Sequence, residues 1–67
     1  MSHKLKIERL YAVKEVTGLS RSTIYLRIKK GEFPKPISLG GRAVGWLESD
    51  IQRWLREQLE LSRGEEE

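Results

Sequence analysis

Apolar residues recur at helical spacing at three places along the chain, separated by glycine and proline. The first repeat consists of Leu10, Val13 and Val16. Its three-residue steps are typical of an amphipathic helix, and Gly18 can adopt the left-handed conformation that commonly ends one. The pattern predicts a first helix over residues 11–17, preceded by an edge strand or extended segment over residues 6–10.

A second predicted helix starts almost immediately after the first. Ser20 is placed to cap it, because a serine hydroxyl can accept a hydrogen bond from an amide two or three residues later. Ile24 and Ile28 lie four residues apart and share one face, and Gly31 favours a helix end. The predicted helix covers residues 20–30, and the short connection before it forces a steep crossing, which is typical of a helix-turn-helix.

The next segment has the pattern of a β-hairpin. Two prolines exclude a helix, and the neighbouring Phe33 is a candidate core residue. Apolar residues then alternate on both sides of Gly40 and Gly41, a pair suited to a two-residue turn with positive φ. The predicted hairpin covers residues 37–46.

The third predicted helix is the longest. Ser49 followed by Gln52 has the spacing of a capping box, which predicts a helix start at that point. The apolar stripe of this helix consists of Ile51, Trp54, Leu55 and Leu59. We expect the stripe to pack over the first two helices. Residues 1–63 then form one mainly helical domain with a small β-hairpin, and residues 64–67 form a disordered acidic tail.

The composition excludes the common stabilising and catalytic devices of small domains. The 67 residues include no cysteine and a single histidine, His3. Disulfides, nucleophile–base pairs and the usual metal-ligand sets therefore cannot be built, and Glu48 and Asp50 suit the start of a helix. We predict a protein that is not an enzyme and holds no cofactor or metal. Because no apolar stretch resembles a signal peptide or a membrane span, we expect a cytoplasmic location.

Charge is distributed unevenly along the chain. Residues 1–47 carry ten Lys or Arg and three acidic residues, a net charge of +7, whereas residues 48–67 have a net charge of −4. A basic body with an acidic end can orient itself on a polyanion. Ordinary solubility explains the balance equally well, so the case for double-stranded DNA depends on individual residues.

The second predicted helix opens with residues suited to contacting DNA bases. Arg21 can donate two hydrogen bonds to guanine in the major groove, and Ser22 and Thr23 can donate to bases or phosphates. Local capping is an alternative interpretation for both Ser20 and Thr23, and it is the preferred one for Ser20. Tyr25 can donate to a phosphate or pack half-buried, and the sequence leaves both interpretations open.

Further candidate contacts follow along the chain. A basic cluster at the end of the second helix, suited either to the DNA backbone or to solvent, consists of Arg27, Lys29, Lys30 and Lys35. Arg42 comes directly after the predicted hairpin turn, where it can clamp a phosphate or enter the minor groove. We expect Trp46 and Trp54 to be core residues rather than platforms for base stacking.

Three segments are characteristic of one protein family. They are residues 19–25 (LSRSTIY), 31–36 (GEFPKP) and 39–46 (LGGRAVGW). In this order, and with Trp54 after them, they resemble the AlpA family of prophage regulatory proteins over about residues 7–58. That family is similar to MerR-type and excisionase-type winged helix-turn-helix domains. The resemblance implies a DNA-binding transcriptional regulator of a prophage or another integrated element.

The resemblance also implies a recognition helix over residues 20–30 and a wing over residues 37–46, with Arg42 at the family's basic wing position. Two alternatives remain open. An excisionase-like factor would bend its DNA site rather than regulate a promoter. A protein-interaction module would instead use the apolar stripe of the third helix. Because one small domain contacts few base pairs, binding to DNA as a homodimer or in tandem copies is a further expectation.

Overall fold

The computed structural model of the chain describes the backbone of residues 5–65 and the side chains of residues 5–64. In chain order its elements are β1 (Ile7–Glu8), α1 (Leu10–Thr17), α2 (Arg21–Lys29), β2 (Ile37–Gly40), β3 (Ala43–Leu47) and α3 (Glu48–Glu65). Over this described part, the fold combines three helices with a small three-stranded antiparallel sheet. The expectations about His3 and a signal peptide concern residues 1–4, which lie outside the described residues.

The first two helices begin and end where the local signals predict. At the end of α1, Gly18 has φ 74°, and its amide donates a hydrogen bond to the Lys14 carbonyl at 2.8 Å. At the start of α2, the Thr23 amide donates to Ser20 Oγ at 3.2 Å, so the capping role of Ser20 is confirmed. Gly31, with φ 76°, follows the last turn of α2. Gly18 and Ser20 therefore set the two ends of the connection between α1 and α2, and Gly31 marks the end of α2.

The sheet is larger than the hairpin that the sequence predicts. Its strand order is β1-β3-β2, which places β3 in the centre. Ile7 in β1 pairs with Leu47, and Ile37 in β2 pairs with Gly45. The edge strand expected within residues 6–10 is thus present, and it pairs with the second strand of the hairpin.

The hairpin turn lies one residue later than predicted. Gly40 belongs to β2 and pairs with Ala43, so the connecting residues are Gly41 and Arg42. The register shifts between Ser38 and Gly40, which moves the end of the strand. The predicted turn at Gly40 and Gly41 is therefore wrong. Arg42 itself occupies the tip of the hairpin.

The core joins all three helices to the central strand. Its buried side chains are Val13, Ile24, Phe33, Trp46, Ile51 and Trp54. Both tryptophans also donate hydrogen bonds to the extended segment after α2, from Trp46 Nε1 to the Pro34 carbonyl and from Trp54 Nε1 to the Glu32 carbonyl, each at 2.9 Å. These residues are structural, as the sequence predicts.

Helix α3 starts differently from the prediction. It begins at Glu48, directly after β3, and Ser49 already lies inside the first turn. The Glu48 amide donates a hydrogen bond to the Lys6 carbonyl at 2.8 Å, so the segment before β1 provides the acceptor for this amide at the helix start. The capping box predicted for Ser49 and Gln52 is wrong, because a residue within the helix cannot be its N-cap.

The far half of α3 is also different from the expectation. The helix packs against β3 and meets α1 and α2 through the shared core, but Leu59 is 48% exposed and does not continue the buried stripe. The helix continues through residues 64 and 65, which the sequence placed in a tail, whereas residues 66 and 67 lie outside the described residues. Within the described chain, no helix is long and apolar enough to cross a membrane.

Candidate nucleic-acid interface

The first turn of α2 presents a compact cluster of hydroxyl groups. Ser20 Oγ accepts from the Thr23 amide and donates to Thr23 Oγ1 at 3.0 Å. Ser22 Oγ lies 3.3 Å from Ser20 Oγ and is exposed to solvent. Thr23 is half-buried and engaged in the cap, whereas Ser22 is exposed and hydrogen-bonds only to Ser20 within this cluster, so Ser22 is the more accessible hydroxyl for a ligand. The helix N-terminus beside it favours a nearby anion.

Arg21, Tyr25 and Trp46 form a stack that runs from the surface to the core. The guanidinium carbon of Arg21 lies 5.4 Å from the centre of the Tyr25 ring, a cation–π distance. The Tyr25 ring meets Trp46 edge to face, with centroids 6.4 Å apart. Trp46 is fully buried, whereas Tyr25 is 36% exposed. The Arg21 side chain is therefore supported by Tyr25, which in turn packs against the buried Trp46.

A surface cleft of about 550 Å³ brings residues of α1, α2 and the hairpin together. We call it the arginine cleft; its lining residues are Arg9, Leu10, Tyr11, Arg21, Tyr25, Arg42 and Val44. Arg21 from the start of α2 and Arg42 from the hairpin tip, both predicted as contacts, share this lining. The sequence places these residues in separate elements, and the fold brings them to the same surface.

In the described part of the chain, no acidic side chain forms an ion pair with an arginine of the cleft. Among residues 5–64, the ion pair that forms joins Lys6 to Glu48 at 3.6 Å, outside the cleft. Three guanidinium groups, from Arg9, Arg21 and Arg42, thus share one lining with two tyrosines. Guanidinium groups donate in a planar fork that matches phosphate oxygens and the acceptor edge of guanine. The cleft is chemically suited to an anion with flat, hydrogen-bonding groups nearby.

The other predicted basic residues lie outside the cleft lining. Arg27 is half-buried, and its guanidinium carbon lies 5.9 Å from the centre of the Trp54 ring, so it covers part of the core. Lys29, Lys30 and Lys35 are exposed. The backbone amide of Lys30 donates to the Leu26 carbonyl at 3.1 Å and caps the helix. These lysines leave their ammonium groups available to a partner that extends past the end of α2.

Sequence reasoning missed Arg9 and Tyr11. Arg9 is the N-cap residue of α1, and Tyr11 is 73% exposed in its first turn. One signal for Tyr11 is present in the sequence. The residue lies outside the apolar stripe of α1, and a large aromatic side chain on the polar face of a helix is a candidate for contact with a partner. For Arg9 the position depends on how α1 packs beside α2 and the hairpin, which no local pattern specifies.

Comparison with known proteins identifies the family. The family model described as "Prophage CP4-57 regulatory protein (AlpA)" matches residues 6–59, which is most of the chain. The chain belongs to the AlpA family of prophage regulatory proteins, as the sequence motifs indicate.

Two curated relatives are similar to the chain. The uncharacterized protein ORF88 of Enterobacteria phage P4 is 55% identical over 51 residues, which cover 72% of this chain and 58% of the phage protein. The "DNA-binding transcriptional activator AlpA" of Escherichia coli (strain K12) is 41% identical over 63 residues, which cover 85% of this chain and 90% of that protein. The match therefore spans less than two thirds of the phage protein but nearly the whole of the bacterial one.

Proposed function

We propose that this chain is a sequence-specific regulator of transcription that binds double-stranded DNA and belongs to a prophage or another integrated element. In this proposal the fold acts as a winged helix-turn-helix. Helix α2 lies in the major groove, and the β2–β3 hairpin is the wing that contacts the adjoining backbone or minor groove. The protein acts by binding rather than by catalysis.

One observation carries the proposal, namely that Arg21 and Arg42 line the same cleft. A helix in the major groove and a wing on the flanking groove can engage one duplex only if both project from a single surface. Arg21 is held by Tyr25 at the entrance of α2, where a side chain reaches base edges. Arg42 at the hairpin tip is suited to a phosphate or to the narrow groove.

The exposed residues around these two arginines support the same orientation. Ser22 lies beside Arg21, and Lys29 and Lys30 lie at the other end of the helix. Phosphate contacts by such residues position a protein on DNA, whereas base contacts by Arg21 select the sequence. The bacterial relative is named as a DNA-binding transcriptional activator, which agrees with this proposal, and its match covers 85% of this chain.

Selection of bound duplexes from a random pool tests the proposal directly, followed by gel retardation of the winning duplex and a scrambled duplex of the same composition. We expect one sequence motif to be enriched and the scrambled duplex to bind more weakly, with an affinity that falls as salt rises. Arg56, an exposed residue of α3, provides a charge-matched control, because Arg56→Ala should leave both affinities unchanged. Equal retardation of both duplexes, or an enrichment that fails to appear, would refute the proposal.

A second role is favoured by the exposed end of α3. Leu59 and Leu61 are 48% and 62% exposed on the part of this helix beyond the core. Because the two leucines lie two residues apart, they project from different sides of the helix, and each offers a small apolar contact to a protein partner, including a second copy bound beside the first on DNA. Sedimentation of the chain with and without the selected duplex separates the possibilities. A larger species that depends on the duplex supports paired or tandem binding, whereas association without DNA supports a protein-interaction module.

A further inference from the structure

Helix α2 carries one apolar side chain on the face opposite the core. Leu26 is 52% exposed, whereas Ile24, two residues earlier, is fully buried. Two helical steps rotate a side chain by about 200°, so Leu26 points away from the core that Ile24 enters. Ile28, two residues later, packs against the core again. The exposure of Leu26 is therefore fixed by the helix geometry.

The neighbours of Leu26 on this face are polar and exposed. Ser22 precedes it by four residues and Lys29 follows it by three, so all three share one side of the helix. Ser22 and Lys29 can hydrogen-bond to base edges or phosphates, but Leu26 has no donor or acceptor. It lies between two hydrogen-bonding residues at the centre of the face that the proposed function puts into the major groove.

A single exposed leucine is common in proteins and by itself indicates nothing. The position of Leu26 gives it a specific chemical counterpart, because the apolar group that projects from a base into the major groove is the 5-methyl of thymine. The other base-edge groups are hydrogen-bond donors or acceptors, which a leucine would leave unpaired, or the small C5–H of cytosine, which offers a leucine less apolar surface. We propose that Leu26 contacts the 5-methyl group of a thymine and helps to select the DNA site. This inference rests on the proposed function.

Removal of the methyl group from the DNA tests the contact. The duplex selected from the random pool is prepared with each thymine replaced in turn by deoxyuridine, and its affinity is measured for the full chain and for Leu26→Ala. At one thymine we expect the unmodified chain to lose affinity about fourfold, which corresponds to burial of one methyl group. Leu26→Ala should bind the thymine duplex about fourfold more weakly and should not distinguish thymine from deoxyuridine at that position.

Leu5→Ala is the matched control, because it makes the same substitution at a 76% exposed leucine that precedes β1 and belongs to no proposed interface. This variant should keep the full sensitivity to the methyl group. Both variants should retain the unfolding temperature of the parent, since both leucines are exposed and alanine is at least as good a helix former as leucine at position 26.

Three results would overturn the contact. They are a selected site without thymine, a set of deoxyuridine duplexes that all bind like the parent, and a methyl effect that persists in Leu26→Ala. Each can occur while the chain still binds its duplex specifically, so the contact can fail without the proposed function failing. If no duplex is bound specifically, the proposed function itself is refuted.

Discussion

The ring of Tyr25 meets the indole of Trp46 edge to face, with centroids 6.4 Å apart and an interplanar angle of 64°. Tyr25 belongs to α2 and Trp46 to the central strand of the sheet, so the contact joins the helix to the strand that carries the hairpin. Arg21 lies on the other side of the same tyrosine. This aromatic contact therefore helps to set the relative position of the two arginines, together with the core that joins α2 to the central strand.

Replacement of Tyr25 tests this dependence. Tyr25→Ala removes the edge-to-face pair and the support under Arg21, so we expect a loss of about 1–2 kcal/mol in the free energy of unfolding. Tyr25→Phe keeps both ring contacts and should unfold like the parent in urea. If the phenolic hydroxyl donates to a phosphate, Tyr25→Phe will bind duplex more weakly at unchanged stability. An unaltered unfolding curve for Tyr25→Ala would show that the ring contact contributes nothing.

The two arginines of the cleft should respond differently to substitution. Arg42→Ala removes a phosphate or minor-groove contact, so we expect weaker binding to all duplexes and a salt dependence whose slope falls by about 1. Arg21→Ala should instead relax the preference at one base pair by about 1–3 kcal/mol. Retardation titrations at several salt concentrations, on the selected duplex and its single-base variants, measure both effects. Identical effects of the two substitutions on every duplex would contradict the assignment of separate roles.

The parts of the fold that local chemistry determines could be predicted from the sequence. Gly18 and Gly31 adopt positive φ, and Ser20 caps α2, so the bounds of α1 and α2 agree with the prediction within a residue. The buried positions of Phe33 and Trp46 also follow from residue type, because large aromatic side chains dominate small cores. These features depend on contacts between residues close in sequence or on apolar area alone.

The sequence predictions were wrong or incomplete where contacts between residues far apart in the sequence determine the structure. Both Gly40 and Gly41 have positive φ, so local preference cannot choose the turn, and the pairing of β2 with β3 chooses it. The start of α3 depends on the Lys6 carbonyl, which is far away in sequence. Arg9 joins the arginine cleft only because α1 packs beside α2 and the hairpin. Of the seven lining residues, the sequence predicted Arg21, Tyr25 and Arg42 as contacts, whereas the place of Arg9 in the cleft is a product of tertiary packing.

The N-cap of α2 can be tested separately from DNA binding. Ser20→Ala leaves the Thr23 amide without its side-chain acceptor, so we expect a loss of about 1 kcal/mol in the free energy of unfolding. Ser20→Asn restores an acceptor at the N-cap and should recover most of that stability without adding charge to the basic surface. Urea unfolding followed by circular dichroism measures both variants. Equal stability of Ser20→Ala and the parent would mean that solvent satisfies this amide as well as Ser20 does.

Gly45 tests how tightly β1 is held against the centre of the sheet. A Cβ atom at this position would collide with Ile7 Cγ2 and approach the Glu8 carbonyl oxygen to 3.2 Å. The second contact is with backbone, which cannot rotate away, so Gly45→Ala must displace β1. We expect a loss of about 1–3 kcal/mol in the free energy of unfolding.

Gly64→Ala is the matched control for that substitution. A Cβ atom at Gly64 meets nothing within 4 Å, and the residue lies in α3. Because alanine favours a helix over glycine by up to about 1 kcal/mol, and less near a helix end, this variant should be as stable as the parent or slightly more stable. The unfolding temperature of Gly45→Ala should therefore fall, whereas that of Gly64→Ala should stay the same or rise slightly. A neutral Gly45→Ala would mean that β1 does not pack on β3, and the hydrogen bond from Glu48 to Lys6 would then lose its support.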